Sequence, residues 1–298
     1  MRLILILTAL LSFQSASAST LDEIKAHLGN AQAQYNLGMK YDNGDGVPED
    51  NAEAVKWYTK AAEQGYAPAQ HNLGRMYING EGVPKNDAQA VKWYRMAAEQ
   101  GHIEAQFMLG VKYGQGSAMQ EDDGGVPRDI DEAIKWYEEA VKQGHDSAKH
   151  FLSYKYYSKG ISYANGKDAP MNKTEALKWF RKAAELGIAS DQYDLALLYD
   201  NGEGIPENDV EAVEWYRKAA AQGYVSAQLN LGVMYANGEG VPENHIRAYI
   251  WFSVAKTQGS RRATTYIDRL KANMTPQQLA QGQALATRCY ESSYKDCE

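Results

Sequence analysis

Basic residues are in deficit in this chain: 31 lysines and arginines face 38 aspartates and glutamates, a formal charge of −7. That balance argues against a general nucleic-acid role, because phosphate binding relies on clustered cations; it speaks mainly for solubility. Long apolar runs are missing as well. The run from Leu3 to Leu11 is about nine residues, well short of the ~20 that a membrane-spanning helix needs, so no membrane span is expected. Cysteine is nearly absent. The pair Cys289 and Cys297 leaves a tetrahedral metal shell half empty. With seven residues between them they read most simply as a disulfide in an oxidising compartment, contributing roughly 2–3 kcal/mol on a chain-entropy account. Five phenylalanines stand against 21 tyrosines, yet the apolar fraction of 44% is that of a folded protein and excludes wholesale disorder.

What is present begins with a leader. Arg2 supplies a positive charge, the apolar run follows, and Ala16-Ser17-Ala18 fits a small-residue cleavage site. This is the plan of a secretory signal peptide over residues 1–18, cut after Ala18, and it directs the chain to the periplasm or outside the cell. Removing Arg2 takes the charge from −7 to −8.

The main fact is an internal repeat. The six tryptophans, Trp57, Trp93, Trp136, Trp179, Trp215 and Trp251, are spaced by 36, 43, 43, 36 and 36 residues. Six prolines (Pro48, Pro84, Pro127, Pro170, Pro206, Pro242) and six glycines (Gly65, Gly101, Gly144, Gly187, Gly223, Gly259) keep the same intervals. Each unit reads as two helices. In the first, a leucine and a tyrosine four apart share one face, as in Leu73 and Tyr77. The small residue after the leucine is Gly38, Gly74, Gly110, Ser153, Ala196 or Gly232. A mid-helix glycine costs about 1 kcal/mol against alanine, so close approach of a neighbouring helix is expected there. Asn-Gly-Glu-Gly-Val-Pro, as in Asn79 to Pro84, ends the helix and sets up the next. Asp87, or its counterparts Asn208 and Asn244, is expected to cap the second helix. That helix carries an apolar stripe, Ala90, Trp93, Tyr94, Ala97 and Ala98.

Residues 19–30 read as an N-terminal cap, 31–259 as six repeats, and 260–298 as a C-terminal cap with a disulfide-closed tail. In the tail, Thr275-Pro276-Gln277-Gln278 has the pattern of a capping box. Repeats three and four each carry seven extra residues, expected in the loops Gly114 to Gly125 and Ser158 to Ala169. Those loops are either contact elements on one edge or tolerated insertions.

With Ala-x-x-x-Leu-Gly-x-x-Tyr, Gly-x-Gly-Val-Pro and Ala-x-x-Trp-Tyr-x-x-Ala-Ala-x-x-Gly in hand, the chain resembles the Sel-1-like repeat family, tetratricopeptide-like helical solenoids. The resemblance covers about Ala31 to Gly259; repeat four departs from it, reading Gly166-Lys167-Asp168-Ala169-Pro170 in its loop. It implies an all-α, right-handed solenoid whose first helices line a concave surface, and a role as an adaptor for a protein or peptide partner. Periplasmic immunity or regulatory proteins that neutralise a secreted effector or sensor are one alternative. Weak β-lactamases or penicillin-binding enzymes are another.

No catalytic constellation stands out, and neither enzyme activity nor any cofactor or metal is expected. The six histidines form no His-x-x-x-His pair. Ser292-Ser293-Tyr294-Lys295 matches Ser-x-x-Lys but lacks the companion motifs of penicillin-recognising enzymes. What remains is the surface that varies between repeats. Two first-helix rows flank the leucine–tyrosine stripe. One reads Tyr35, His71, Phe107, His150, Tyr193 and Leu229; the other Met39, Arg75, Val111, Tyr154, Leu197 and Val233. Mostly aromatic or apolar, they suit an extended peptide or a partner helix, or else they pack against the neighbouring repeat. A monomer is the expected state.

Overall fold

Thirteen residues of amphipathic helix, a turn, and thirteen more form the unit from which nearly the whole chain is built. In a computed structural model, residues 21–116, 125–167, 170–202 and 205–297 are described. The leader, and residues 117–124 of the long loop in repeat three, lie outside them. Among the described residues there are helices and no strands. Helix α1 covers 21–27. The six hairpins follow: α2 (Ala31–Asn43) with α3 (Asn51–Glu63), α4 (Ala67–Asn79) with α5 (Asp87–Glu99), α6 (Ile103–Gln115) with α7 (Ile130–Lys142), α8 (Asp146–Asn165) with α9 (Lys173–Glu185), α10 (Ala189–Asn201) with α11 (Asp209–Ala221), and α12 (Val225–Asn237) with α13 (His245–Thr257). The cap is α14 (Arg261–Lys271) and α15 (Pro276–Glu291). The chain divides into two compact units, residues 1–149 and 150–298.

In five of the six hairpins the same contact recurs, and repeat five has the buried Ala196 in its place. The first-helix glycine is a notch for the aromatic ring that follows the second-helix tryptophan. A Cβ added to Gly38, Gly74, Gly110, Gly160 or Gly232 would sit 2.5 to 2.8 Å from the nearest ring carbon of Tyr58, Tyr94, Tyr137, Phe180 or Phe252. The glycine's low helix propensity is offset by this close approach. Trp57, Trp136, Trp215 and Trp251 are buried and Trp93 and Trp179 half-buried, as packing residues should be.

Connections are equally regular. Gly80 ends α4 at φ 73°, and a Cβ on Gly82 would collide with the backbone of Asn51, where the loop lies on the start of the preceding second helix. The second helices are capped by Asp50, Asn86, Asp129, Asn172, Asn208 and Asn244. Asp87 is therefore not a cap: it lies one residue inside α5, buried, and pairs with Lys112 at 3.2 Å. Each cap also donates its backbone N–H to the carbonyl of a first-helix tyrosine, at 2.8 or 2.9 Å: Tyr41, Tyr77, Tyr113, Tyr163, Tyr199 and Tyr235.

That series corrects the reading of repeat four. Its tyrosine is Tyr163 and its notch is Gly160, seven residues beyond Tyr156 and Ser153. The seven extra residues do not form a loop. They lengthen α8 to 20 residues, while the other eleven hairpin helices have 13. Seven residues are nearly two full turns, about 20° short, so the added turns present the same face as the originals. Leu152, Ser153 and Tyr156 stay buried beside Gly160.

At the C-terminus Thr275 closes a capping box with Gln278 on α15, which packs on α13 with Gly282 against the Tyr249 ring. Cys289 and Cys297 are joined and buried, and the tail turns back so that Tyr294 lies on Gly223. Filling a notch tests the architecture. Gly74→Val should lower stability by about 1–3 kcal/mol through overpacking, read by thermal melting, and Tyr94→Leu in the same chain should restore part of the loss.

Candidate functional site

Adjacent hairpins are joined by a buried amide ladder that the sequence reading missed. Gln70 donates to the Ala62 carbonyl of the preceding repeat at 3.0 Å and accepts from Gln100 of its own at 2.7 Å. Gln34, Gln106, Gln192 and Gln228 do the same with Ala26 and Gln64, Ala98 and Gln143, Ala184 and Gln222, Ala220 and Gln258. A buried side-chain amide is costly unless hydrogen-bonded, so the ladder fixes register as well as contact. The signal was in the sequence: Ala-Gln at 33, 69, 105 and 227, and Gln-Gly at 64, 100, 143, 222 and 258. Repeat four has Lys149 and Leu186 at the corresponding positions.

The first row of varying residues is largely occupied by packing between repeats. Tyr35 lies 5.8 Å from Tyr58 and 5.3 Å from Tyr66; His71 lies 5.6 Å from Tyr94 and 4.8 Å from His102. Phe107 stacks on His145, Tyr193 lies 5.0 Å from Tyr224 with the rings tilted, and Leu229 is buried. In repeat four the residue in this place is Tyr157, 5.1 Å from Phe180, and not His150. In the second row, Val111 and Leu197 are half-buried. Arg75 is not a free cation. It pairs with Asp42, and with Glu81 at 2.5 Å, in a polar cleft of about 400 Å³ that also holds Tyr58 and Asn72.

Helix α8 is different. Its exposed residues are Asp146 at the first position and then Ser147, His150, Phe151, Tyr154, Ser158, Ile161 and Asn165, so that after Asp146 no aspartate, glutamate, lysine or arginine of the helix is exposed. Tyr154 is 67% exposed, Phe151 41% and Ile161 40%. The other first helices expose side chains only near their ends, apart from Asn36. The two extra turns thus leave aromatic and aliphatic side chains exposed, with Tyr154 at their centre and the Lys155 ammonium 5.6 Å from its ring.

Beside this strip, α10 breaks the repeat pattern twice. Asp191 stands where Ala33, Ala69, Ala105, Ala148 and Ala227 are buried, and it accepts from Ser153 of α8 at 2.5 Å. Asp194 stands where repeats two and six have Asn72 and Asn230; Asn230 donates to the Tyr216 hydroxyl at 2.9 Å. In repeat four the ring in the place of Tyr216 is Phe180, which has no hydroxyl. Asp194 has neither a hydrogen bond nor an ion pair among the described residues. Burial pushes both carboxyls above the ordinary range, and Asp191 adds repulsion at Asp194, while Ser153, Ser190 and His150 oppose the rise at Asp191.

Chemistry of other kinds finds little support here. Among the described residues no group of three His, Cys, Asp or Glu could hold a metal ion. The Ser292 hydroxyl is occupied in closing the tail: it donates to the Cys289 carbonyl and accepts from the Asp296 N–H, both at 2.9 Å. No helix among the described residues is long and apolar enough to cross a membrane.

Notched hairpins, a tyrosine-anchored cap and a glutamine ladder define an all-α repeat protein of the solenoid class. The chain belongs to the Sel1 repeat family, whose model matches residues 31–66, 67–102, 103–145, 148–188, 189–224 and 225–260. Proteins of this family are generally protein-interaction scaffolds. The chain is similar to a Sel1 repeat protein of Oxalobacter formigenes, with 31% identity over 85% of this chain and 98% of that one, at a TM-score of 0.40. It is also similar to a protective antigen of uropathogenic Escherichia coli strains with an SLR fold, with 28% identity over 94% of this chain and a TM-score of 0.44. It spans 65% of that antigen's length. The immunity protein Pa5087 of Pseudomonas aeruginosa matches at 20% identity over 76% of this chain and 81% of its own, with a TM-score of 0.31. Comparison with curated proteins finds no match.

The stacked histidines give a pH test. Burial lowers the pKa of His71 and of His102, and at His71 the second imidazole adds to it. Both are therefore neutral in the fold, and their contribution is present above the ordinary value of about 6.5 and lost as pH falls through it. Thermal melts from pH 7.5 to 5.5 should show a falling midpoint. The fall should be smaller in His71→Phe, which copies Phe107 of repeat three.

Proposed function

We propose that the chain is an exported scaffold that holds a protein or peptide partner on the face formed by its first helices, with no catalytic step of its own. One observation carries this reading: the strip of α8, where His150, Tyr154 and Ile161 are exposed and no aspartate, glutamate, lysine or arginine after Asp146 is. Aromatic side chains supply large contact area at low entropic cost and are enriched at the centres of interfaces. The neighbouring first helices use their aromatic residues to hold one repeat to the next, whereas α8 leaves Tyr154 67% exposed. Export is supported by the signal-peptide pattern of residues 1–18 and by the Cys289–Cys297 disulfide, since such bonds persist in oxidising compartments.

In-cell photo-crosslinking tests the reading. A photoreactive residue in place of Tyr154 should give one dominant adduct, and the same residue in place of Val210, exposed on the second helix α11, should give none or a scatter of weak ones. An empty Tyr154 lane beside a strong Val210 adduct would move the partner to the opposite face.

A further inference from the structure

Two carboxylates in one repeat stand where the other repeats have none, and they border the strip on α8. Asp191 replaces a buried alanine, and Asp194 replaces a hydrogen-bonding asparagine across from a ring that has lost its hydroxyl. At i and i+3 on one helix face, like charges repel. Neither forms an ion pair with a lysine or arginine among the described residues. Ser153, Ser190 and His150 offset the cost at Asp191 in part, whereas Asp194 has no such relief, and residues that break a local rule with incomplete compensation mark functional places.

We infer that the face shared by α8 and α10 takes a basic, amphipathic peptide segment of the partner, whose apolar side chains lie along Tyr154 and Ile161 while a lysine or arginine enters beside Asp191 and Asp194. The inference rests on the scaffold reading above and supplies the partner's chemistry. The geometry gives each part a role. Ser153 ties Asp191 to α8, so the acids and the strip are held together by a hydrogen bond. Tyr157, half-buried on Phe180, is close enough to both acids to feel their charge. An incoming cation meets carboxylates and the faces of tyrosine rings together, both of which attract it, and more strongly where water is partly excluded. An acidic segment meets two carboxylates and is rejected.

Selection of random twelve-residue peptides displayed on phage, against the full chain, tests this. Enriched sequences should combine lysine or arginine with aromatic or aliphatic residues. A synthetic peptide of the enriched sequence should bind the chain by fluorescence anisotropy. Asp194→Asn should weaken that binding at least about tenfold, as should replacing the peptide's cation by glutamine. The same Asp194→Asn chain should melt higher than the parent at pH 7. A carboxyl raised by burial contributes its full stability only below its ordinary pKa of about 4, and that contribution is lost as pH rises, so asparagine removes the loss and the gain fades toward pH 4. A weaker complex with a higher midpoint separates binding from folding. Enriched peptides without a cation, or binding indifferent to Asp194→Asn, overturn the inference and leave the scaffold reading standing. Absence of any enriched peptide overturns the inference, and with no adduct from Tyr154 the scaffold reading fails too. Concentration-dependent dimers abolished by Tyr154→Ser would assign the strip to a second copy of this chain and overturn it as well.

Discussion

The distance at which two helices of a hairpin can approach is set by a ring resting on a bare α-carbon, and the rest of the architecture follows from it. With Gly74 beneath Tyr94, or Gly110 beneath Tyr137, the first and second helices meet where no Cβ could fit. Close approach in turn brings the asparagine or aspartate cap of the second helix within reach of a first-helix tyrosine carbonyl. The hairpin so formed is a flat unit with an apolar face on each side, too small to be stable alone. Its neighbours cover those faces, and Gln70 with its counterparts makes the stacking specific, because a buried amide is satisfied in only one register. Packing supplies most of the stability and the amides choose among packings.

The same logic explains how repeat four absorbs seven additional residues without losing its place. An insertion of any other small length would rotate Gly160 away from Phe180. Seven returns it to within about 20° of the original face, so Ser153 and Gly160 share one side of the helix and are both buried. The consequence is geometric: the helix outgrows its neighbours, and Tyr154 and Ile161 on its outer face stay exposed. Tyr154 is exposed while Tyr193 of the following repeat lies 5.0 Å from Tyr224. A strip of this kind arises from helix length alone, before any choice of residue; the choice of uncharged side chains then makes it suitable for contact.

Much of this was legible in the sequence. The spacing of tryptophan, proline and glycine announced the hairpins, and the mid-helix glycines announced a close helix contact. Thr275-Pro276 announced the capping box that α15 shows. The cap of α5 was misplaced by one residue, onto Asp87 instead of Asn86, because the two are adjacent and chemically alike; only the backbone angle separates them. The insertion in repeat four was misread for a deeper reason. Leu152-Ser153-x-x-Tyr156 and Gly160-x-x-Tyr163 both fit the first-helix pattern, and a heptad shift leaves helical periodicity nearly unchanged. Pattern alone cannot say which copy meets the partner helix; the Asn172 to Tyr163 hydrogen bond can. The row of aromatic residues was visible too, but whether a ring faces solvent or the next repeat depends on the N-cap residue beyond it, such as Tyr66 beside Tyr35 or His102 beside His71.

Repeat architecture also explains how one repeat can hold unfavourable charge without endangering the others. Each hairpin touches only its neighbours, so energetic effects remain local and stability is close to a sum of unit and interface contributions. Buried carboxylates in a single-core domain weaken the whole domain. In this chain Asp191 and Asp194 act on the packing of repeats four and five, while the ladder from Gln228 to Gln258 in repeat six is untouched. Repeat four already departs from the ladder, with Lys149 and Leu186 in place of glutamines. Departures from the rule therefore gather at one place along the array: the lengthened helix, the missing amides, the ring without its hydroxyl and two acids without a lysine or arginine partner among the described residues. A surface that must recognise something has to differ from the surface that only repeats, and these neighbouring repeats are where this chain differs most from itself.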